Sequence, residues 1–150
     1  MDQIDRHILK ILQANSRASA SEISKEVALS LPAVSERIRK LEESGVIASY
    51  GIRVDRAAAG YHLLAVMFVS IEKTGQIDDF RKQIIAFPQV LECHHIAGEY
   101  DYLLKLLLRD TAELEQFLSR QLKSIEGVAR TNTQIILSSM KEEINRPLED

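Results

Sequence analysis

Cysteine is nearly absent. Cys93 stands alone in 150 residues, so no internal disulfide can form and no thiolate-rich metal site can be built. A reducing, cytoplasmic setting is the simple expectation. An excess of basic charge is also lacking. The formal net charge is -3, so bulk charge gives no support for nucleic acid. Within residues 1–50 Lys and Arg balance Asp and Glu, which puts the deficit in residues 51–150. DNA binding, if present, must come from local arrangement and from pairing two copies. No apolar run is long enough to span a bilayer, and Met1-Asp2-Gln3 opens into a helical pattern rather than a basic-then-apolar leader. No membrane partner is expected. G-x-S-x-G, the phosphate-binding P-loop and G-x-G-x-x-G are all missing. Asp78-Asp79 and Glu142-Glu143 are adjacent acids that read as solubilising charge. No catalytic residue, cofactor or metal is assigned, and an enzyme is not expected.

Hydrophobic residues make up 45% of the chain, enough to build a core. The most informative stretch is residues 21–45. Ile23 and Val27 lie one helical turn apart. Val34, Ile38 and Leu41 follow at i, i+4, i+7, on one face of a second helix. Ser30 is placed to cap that helix, Pro32 fits its first turn, and Gly45 stops it. Two helices joined by a tight turn at residues 28–30 make the helix-turn-helix pattern. The outer face of the second helix holds Pro32, Glu36, Arg39, Lys40 and Glu43, with Ser35 and Arg37 on its flanks. In a DNA reader the N-terminal half of this helix enters the major groove. Ser35 and Glu36 then face base edges, where Glu can accept from a cytosine amino group. Arg37, Arg39 and Lys40 reach phosphates or guanine. The plainer alternative is a solvated charged face on an ordinary amphipathic helix.

Taken in order, Asp2 caps a helix over about residues 3–15, striped with Ile4, Ile8, Ile11 and Leu12. Ser19 and Glu22 form a capping box for the next helix. After Gly45, Tyr50, Ile52 and Val54 alternate with small or polar residues and predict a strand leaving the helical unit. Residues 62–72 predict a buried strand. Ile77, Phe80, Ile84 and Phe87 predict a helix ended by Pro88. Residues 90–97 and 101–109 predict two strands joined by a turn, residues 111–126 a helix capped by Asp110, and residues 128–140 a last strand. The order β-α-β-β-α-β is the ferredoxin-like arrangement. Expected boundaries are a helix-turn-helix domain at 1–47, a linker strand at 48–61, a βαββαβ domain at 62–141 and a loose tail at 142–150, so the fold class is α+β. Both side-chain parities are apolar in residues 62–72 and 101–109. With helices enough for one sheet face, a second copy is the economical cover for the other, and a homodimer is expected.

These residues resemble the leucine-responsive regulator/AsnC family of feast-or-famine transcription regulators. Asp2, Asp5, Ile8-Leu9, Leu12 and Asn15-Ser16-Arg17 are similar to its opening D-x-x-D-x-x-I-L-x-x-L-x-x-N-[AS]-R. Leu29-Ser30-x-Pro32-Ala33-Val34-x-x-Arg37-Ile38-x-x-Leu41-Glu42-x-x-Gly45-Val46-Ile47 is similar to its recognition helix. Gly98-Glu99-Tyr100-Asp101-Tyr102 resembles its G-x-x-D-[YF] loop, and Thr131 and Thr133 fall in its last strand. Two departures are visible. Ala28 sits where the turn often has Gly, at a cost of roughly 1 kcal/mol if the conformation is left-handed. Ser24 replaces a common Ala.

The resemblance implies a regulator that binds double-stranded DNA through Ser30, Pro32, Ser35, Glu36, Arg37, Arg39 and Lys40. It implies a homodimer, in some members an octamer, with an amino-acid effector between C-terminal domains at Gly98, Tyr100, Asp101, Thr131 and Thr133. Asp101 would pair the ammonium, and backbone N–H groups of residues 98–100 would take the carboxylate. The alternatives are a plain hairpin turn at G-x-x-D, and an amino-acid-binding interaction module with little DNA binding. Cys93-His94-His95 invites a metal, but on a strand only Cys93 and His95 share a face, so a core or surface role is the simpler reading.

Overall fold

The computed structural model describes residues 1–148 and divides into two compact units. One holds Met1–Arg53 and the chain from Lys141 onward; the other holds Val54–Met140.

The first unit is three helices, α1 (Gln3–Ala14), α2 (Ala20–Glu26) and α3 (Leu31–Glu43). Each start is capped by its own sequence. Asp2 and Asp5 exchange bonds, Asp5 N–H donating to Asp2 Oδ1 at 2.8 Å and Asp2 N–H to Asp5 Oδ2 at 2.9 Å. Ser19 and Glu22 do the same for α2. Such caps satisfy orphan amides and contribute about 1 kcal/mol each. Ala28 does take up a left-handed conformation (φ 53°). It ends α2 so that the Leu29 N–H reaches back to the Ser24 carbonyl at 3.2 Å, a six-to-one closure that favours Gly. The core is small: Ile8, Leu9, Ile23, Val34 and Leu41 are buried.

Two expectations fail here. Residues 48–55 form no strand. Their alternation is strand-like, yet among the described residues no strand pairs with them, and Ile52 stays 83% exposed. The tail is not loose throughout: Leu148 packs on the helical core and Arg53 lies 3.9 Å from Glu142. A core of five side chains leaves an apolar edge that Leu148 covers. Glu149 and Asp150 lie outside the described residues.

The second unit is a four-stranded antiparallel sheet of β1 (Leu63–Ile71), β2 (Val90–His95), β3 (Tyr102–Leu108) and β4 (Val128–Ile136), in the order β2-β3-β1-β4. The helix α4 (Ile77–Ile84) links β1 to β2, and α5 (Thr111–Gln116) follows β3. The helices cover one face. Beneath them lie Ala65, Met67, Val69, Tyr102, Leu104, Leu106 and Leu108 of the sheet, with Phe80, Ile84, Phe117 and Leu122 of the helical layer. Each large side chain buried there contributes about 1.5–3 kcal/mol. Tyr102 is the hub: its ring packs 4.8 Å from Phe80, and its hydroxyl accepts from Arg81 Nε at 2.7 Å.

The last helix is shorter than the expected run of residues 111–126. After α5 the backbone opens into a π turn over Phe117–Gln121, where the Leu122 N–H donates to the Phe117 carbonyl, then tightens over Leu122–Ser124. Residues five apart point different ways on an α-helix; the wider turn brings Phe117 and Leu122 to the same side. Both are buried.

Gly127 closes this segment at φ 95°, and a Cβ there would lie 2.8 Å from Gln76 Cβ and Cδ. Gly127→Ala therefore meets both a left-handed backbone and a clash. It is expected to lower the unfolding free energy of the sheet unit by about 2 kcal/mol or more, read by chemical denaturation.

Carboxylates in the helical unit give it an acid limit. Asp2 is held below its ordinary range by the Asp5 N–H and then Arg37, and Glu22 by the Ser19 N–H and hydroxyl. Glu36 is held at about 2 by Arg39. Depressed values mean that the stabilisation is full above the unfolded value and is lost as pH falls through the folded one. Circular dichroism is expected to show helix loss between about pH 4.5 and about pH 2, with Glu22→Gln already weakened at neutral pH. An unchanged helical signal down to the lower limit contradicts this.

Candidate nucleic-acid and ligand interfaces

The start of α3 is set by Ser30, whose Oγ accepts from the Ala33 N–H at 3.4 Å, and by Pro32 in the first turn. Gly45, left-handed at φ 73°, stands just past its end. Val34 and Leu41 are buried and Ile38 is half-buried, so the helix is fixed by its dry side. Ser30, Pro32, Ser35, Glu36, Arg39 and Lys40 are all exposed on the outside. Leu31, 48% exposed beside them, was missed in sequence reading. An apolar side chain at the tip of a reading helix suits a thymine methyl group.

Arg37, half-buried on the flank of α3, has partners inside the helical unit. Its Nη1 lies 2.7 Å from Asp2 Oδ2 and 2.7 Å from Asp5 Oδ1. The capping box of α1 places two carboxylates side by side, and a guanidinium between them is the natural complement. In this structure Arg37 braces α3 against the start of α1. Its pKa is raised by the bonds to Asp2 and then Asp5.

The outer cations are not bare either. Arg39 grips Glu36 through Nε (2.8 Å) and Nη2 (2.7 Å) and also bonds Glu43. Lys40 lies 3.6 Å from Glu36. These pairs raise the Arg39 pKa. The outer face is therefore a balanced mosaic of two cations and two carboxylates, not a basic patch.

In the sheet unit, the turn before β3 is held to the end of β1. The Asp101 carboxylate accepts from the Ile71 N–H at 2.7 Å, and the Asp101 N–H donates to the Val69 carbonyl at 3.0 Å. Gly98 has φ 150°. Asp101 thus has a structural task besides any contact with an ammonium group. Tyr100 sits with its ring 5.5 Å from Phe68 and 4.7 Å below the Arg130 guanidinium, on the sheet face without helices. Thr131 and Thr133 pair with Val69 and Met67. Partners across a ladder share a face, and those two are buried under the helices. The expected effector residues are therefore divided by the sheet: the two threonines on one side, the Tyr100 ring on the other. Phe68, Glu99 and Arg130 were missed, because nothing in the sequence says that Tyr100 reaches across β1 to β4.

Cys93 and His95 share the helix-bearing face, opposite Leu104 and Tyr102, and the His95 ring stacks 5.1 Å from Tyr102. Burial pushes the Cys93 thiol up, the reverse of a reactive or metal-binding thiolate. Among the described residues, no three His, Cys, Asp or Glu side chains gather to hold a metal, and no helix is long and apolar enough to cross a membrane.

Comparison with known proteins gives this geometry a family. Residues 1–48 match a winged helix-turn-helix DNA-binding model, and residues 64–145 match the Lrp/AsnC ligand-binding domain. The HTH-type transcriptional regulator FL11 of Pyrococcus horikoshii is 37% identical over 99% of this chain and 97% of its own length. The leucine-responsive regulatory protein of Haemophilus influenzae is 33% identical over 95% of this chain and 87% of its own. Among solved structures, a Neisseria meningitidis transcriptional regulator in complex with L-methionine is 30% identical with a TM-score of 0.93, covering 98% of this chain and 96% of its own. These relatives are transcriptional regulators and not enzymes. From its two domain matches and its end-to-end likeness to these regulators, this chain belongs to the Lrp/AsnC family of transcriptional regulators, with a DNA-binding helix-turn-helix followed by a ligand-binding domain.

Proposed function

We propose that the chain is a cytoplasmic, amino-acid-responsive regulator that works as a homodimer or a larger assembly of dimers. The observation that carries the DNA-reading half is the outer face of α3. Its capped start, dry inner side and exposed Ser30, Leu31, Pro32, Ser35, Glu36, Arg39 and Lys40 suit insertion into a major groove. In this reading Ser35 and Glu36 meet base edges, and Arg39 and Lys40 exchange their carboxylate partners for phosphate or guanine.

Dimerisation is supported by the sheet face that the helices leave bare. Val66, Phe68, Leu103, Leu107 and Ile136 stand half-exposed there. The Glu92 carboxylate lies on the same face, 3.1 Å from both Lys105 Nζ and His94 Nε2. A half-apolar face in the centre of a sheet suits a second copy. The amino-acid response is supported by the domain match and by the relative seen with L-methionine. An effector that binds one assembly better than another shifts the population, and with it the spacing of paired reading helices, which must lie about 34 Å apart to meet successive turns of the groove.

Electrophoretic mobility shift on the chain's own upstream DNA tests the reading half. Arg39→Ala and Lys40→Ala are each expected to weaken binding across all sequences and to lower the salt slope by about one. Glu36→Ala is expected to relax choice at one base pair by about 1–3 kcal/mol. Arg37→Ala is expected to act differently, lowering the thermal midpoint of the helical unit by more than Arg39→Ala does. Unaltered affinity in both outer variants favours an interaction module that does not read DNA.

Leu103→Lys places a charge on the bare sheet face, away from the folding core. It is expected to shift the mass in multi-angle light scattering to that of the single chain with secondary structure intact. A dimer that survives Leu103→Lys and Val66→Glu alike uses another surface.

A further inference from the structure

Beside the C-terminal end of β3, the helix-bearing side of the sheet unit holds a polar groove of about 380 Å³. That volume falls at the lower end of the ~300–1,000 Å³ range of small-molecule sites. The groove lies at the far end of β3 from the turn at residues 98–101, and away from the bare sheet face proposed to meet a second copy. Two arginines, Arg109 and Arg120, share it with three glutamines, Gln89, Gln116 and Gln121. The π turn brings three of these side chains together. Gln116 and Gln121, five apart, point different ways on an α-helix; the wider turn over Phe117–Gln121 sets both on the wall of the groove, beside Arg120. One backbone irregularity thus turns Phe117 and Leu122 inward and Gln116 and Gln121 outward. Among the described residues no hydrogen bond or ion pair engages the side chains of Gln116, Arg120 or Gln121.

We propose that this groove binds a nucleoside monophosphate. The two acids beside it are already engaged by the protein. Glu113, 16% exposed, accepts from the Arg109 N–H at 2.7 Å and from Gln89 Nε2 at 3.3 Å. Asp110 caps α5 by accepting from the Glu113 N–H at 2.9 Å. Arg109 leans on Glu113 with its Nε at 3.6 Å, which leaves the Nη donors of an exposed side chain for an anion. A phosphate group bridges Arg109 and Arg120, because guanidinium donors match phosphate oxygens in pairs. Each glutamine amide carries a donor and an acceptor side by side, the pattern that a base edge complements. Gln116 and Gln121 therefore hold the base. Gln89 Oε1 is buried and accepts no hydrogen bond among the described residues. Its terminal amide torsion is soft, so a small rotation brings it to a donor of the ligand and satisfies it. An α-amino acid suits the groove less well, since its ammonium needs a carboxylate and both of those present serve backbone amides. The site goes beyond the amino-acid-responsive reading and does not depend on it.

Isothermal titration of the full-length protein tests this. The probes are the monophosphates of adenosine, guanosine, cytidine and uridine, with the matching nucleosides and inorganic phosphate as controls. At least one monophosphate is expected to bind saturably with a Kd below about 1 mM. Its nucleoside and inorganic phosphate are each expected to bind about ten-fold more weakly or worse. Arg120→Gln is expected to raise the monophosphate Kd about ten-fold, with Arg120→Lys recovering part of the loss. Gln116→Leu combined with Gln121→Leu is expected to weaken the nucleotide and leave inorganic phosphate unchanged. Arg39→Ala, which removes a cation from the DNA-reading face instead, is expected to leave the nucleotide Kd unchanged. Circular dichroism confirms that each variant keeps its fold. The absence of saturable binding by every monophosphate overturns the proposal. So does a nucleoside that binds as tightly as its monophosphate, or inorganic phosphate that binds as tightly as any nucleotide, which marks an anion groove only. Binding that Arg120→Gln leaves unchanged, or that Arg39→Ala abolishes, lies on another surface and overturns the groove as the site.

Discussion

The helical unit rests on very little hydrophobic area. Among the described residues five buried side chains form its centre, with partly buried ones such as Ile4, Leu12 and Ile38 packed against them, and a three-helix unit of this size is marginal. Its polar features follow from that shortage. Two capping boxes secure the starts of α1 and α2, and Ser30 secures α3. Arg37 then ties the middle of α3 to the start of α1 through the same carboxylates that cap α1. One pair of acids thus satisfies helix amides and orients the neighbouring helix. Leu148 returns from the far end of the chain to add apolar cover. The reading helix is held by a lattice of polar bonds because the oily contact alone is thin.

The sheet unit is built on the opposite principle. Its helix-bearing face carries a continuous core from Leu63 to Ile125, knit by the Phe80–Tyr102 and Phe87–Phe117 ring contacts. Its bare face mixes half-exposed apolar side chains with ion pairs at Glu92–Lys105 and Glu99–Arg130. The first face makes the unit stable. The second face is the one proposed to meet a second copy of the chain.

Much of this was legible in the residues. Helical starts carry local signals, so Asp2, Ser19, Ser30 and Asp110 marked them well, and short apolar runs bounded by turn signals, with alternation in the last strand, found all four strands. The strain at Ala28 was legible because a left-handed turn has few alternatives. What the residues did not reveal was non-local. Tyr50, Ile52 and Val54 alternate as a strand should, but a strand needs a neighbour, and the sequence does not say whether one is available. Arg37 sat on the flank of α3 by helical angle, and only the packing of α1 shows that Asp2 and Asp5 claim it. Thr131 and Thr133 were grouped with Tyr100 by motif, whereas strand parity in the β1–β4 ladder sets them on opposite faces. The π turn left no trace in periodicity, since it arises from the need to bury Phe117 and Leu122 together.

The intrahelical pairing of Arg39 and Lys40 with Glu36 and Glu43 bears on how such a protein would search a chromosome. Sequence-independent adhesion to DNA comes from uncompensated positive charge. A reading surface whose cations are matched by carboxylates on the same face carries little net charge, and so holds an arbitrary phosphate backbone less tightly than a bare basic patch would. Fewer molecules are then held idle on the vast excess of irrelevant sites, and a modest number of copies in the cell can keep a few true sites occupied.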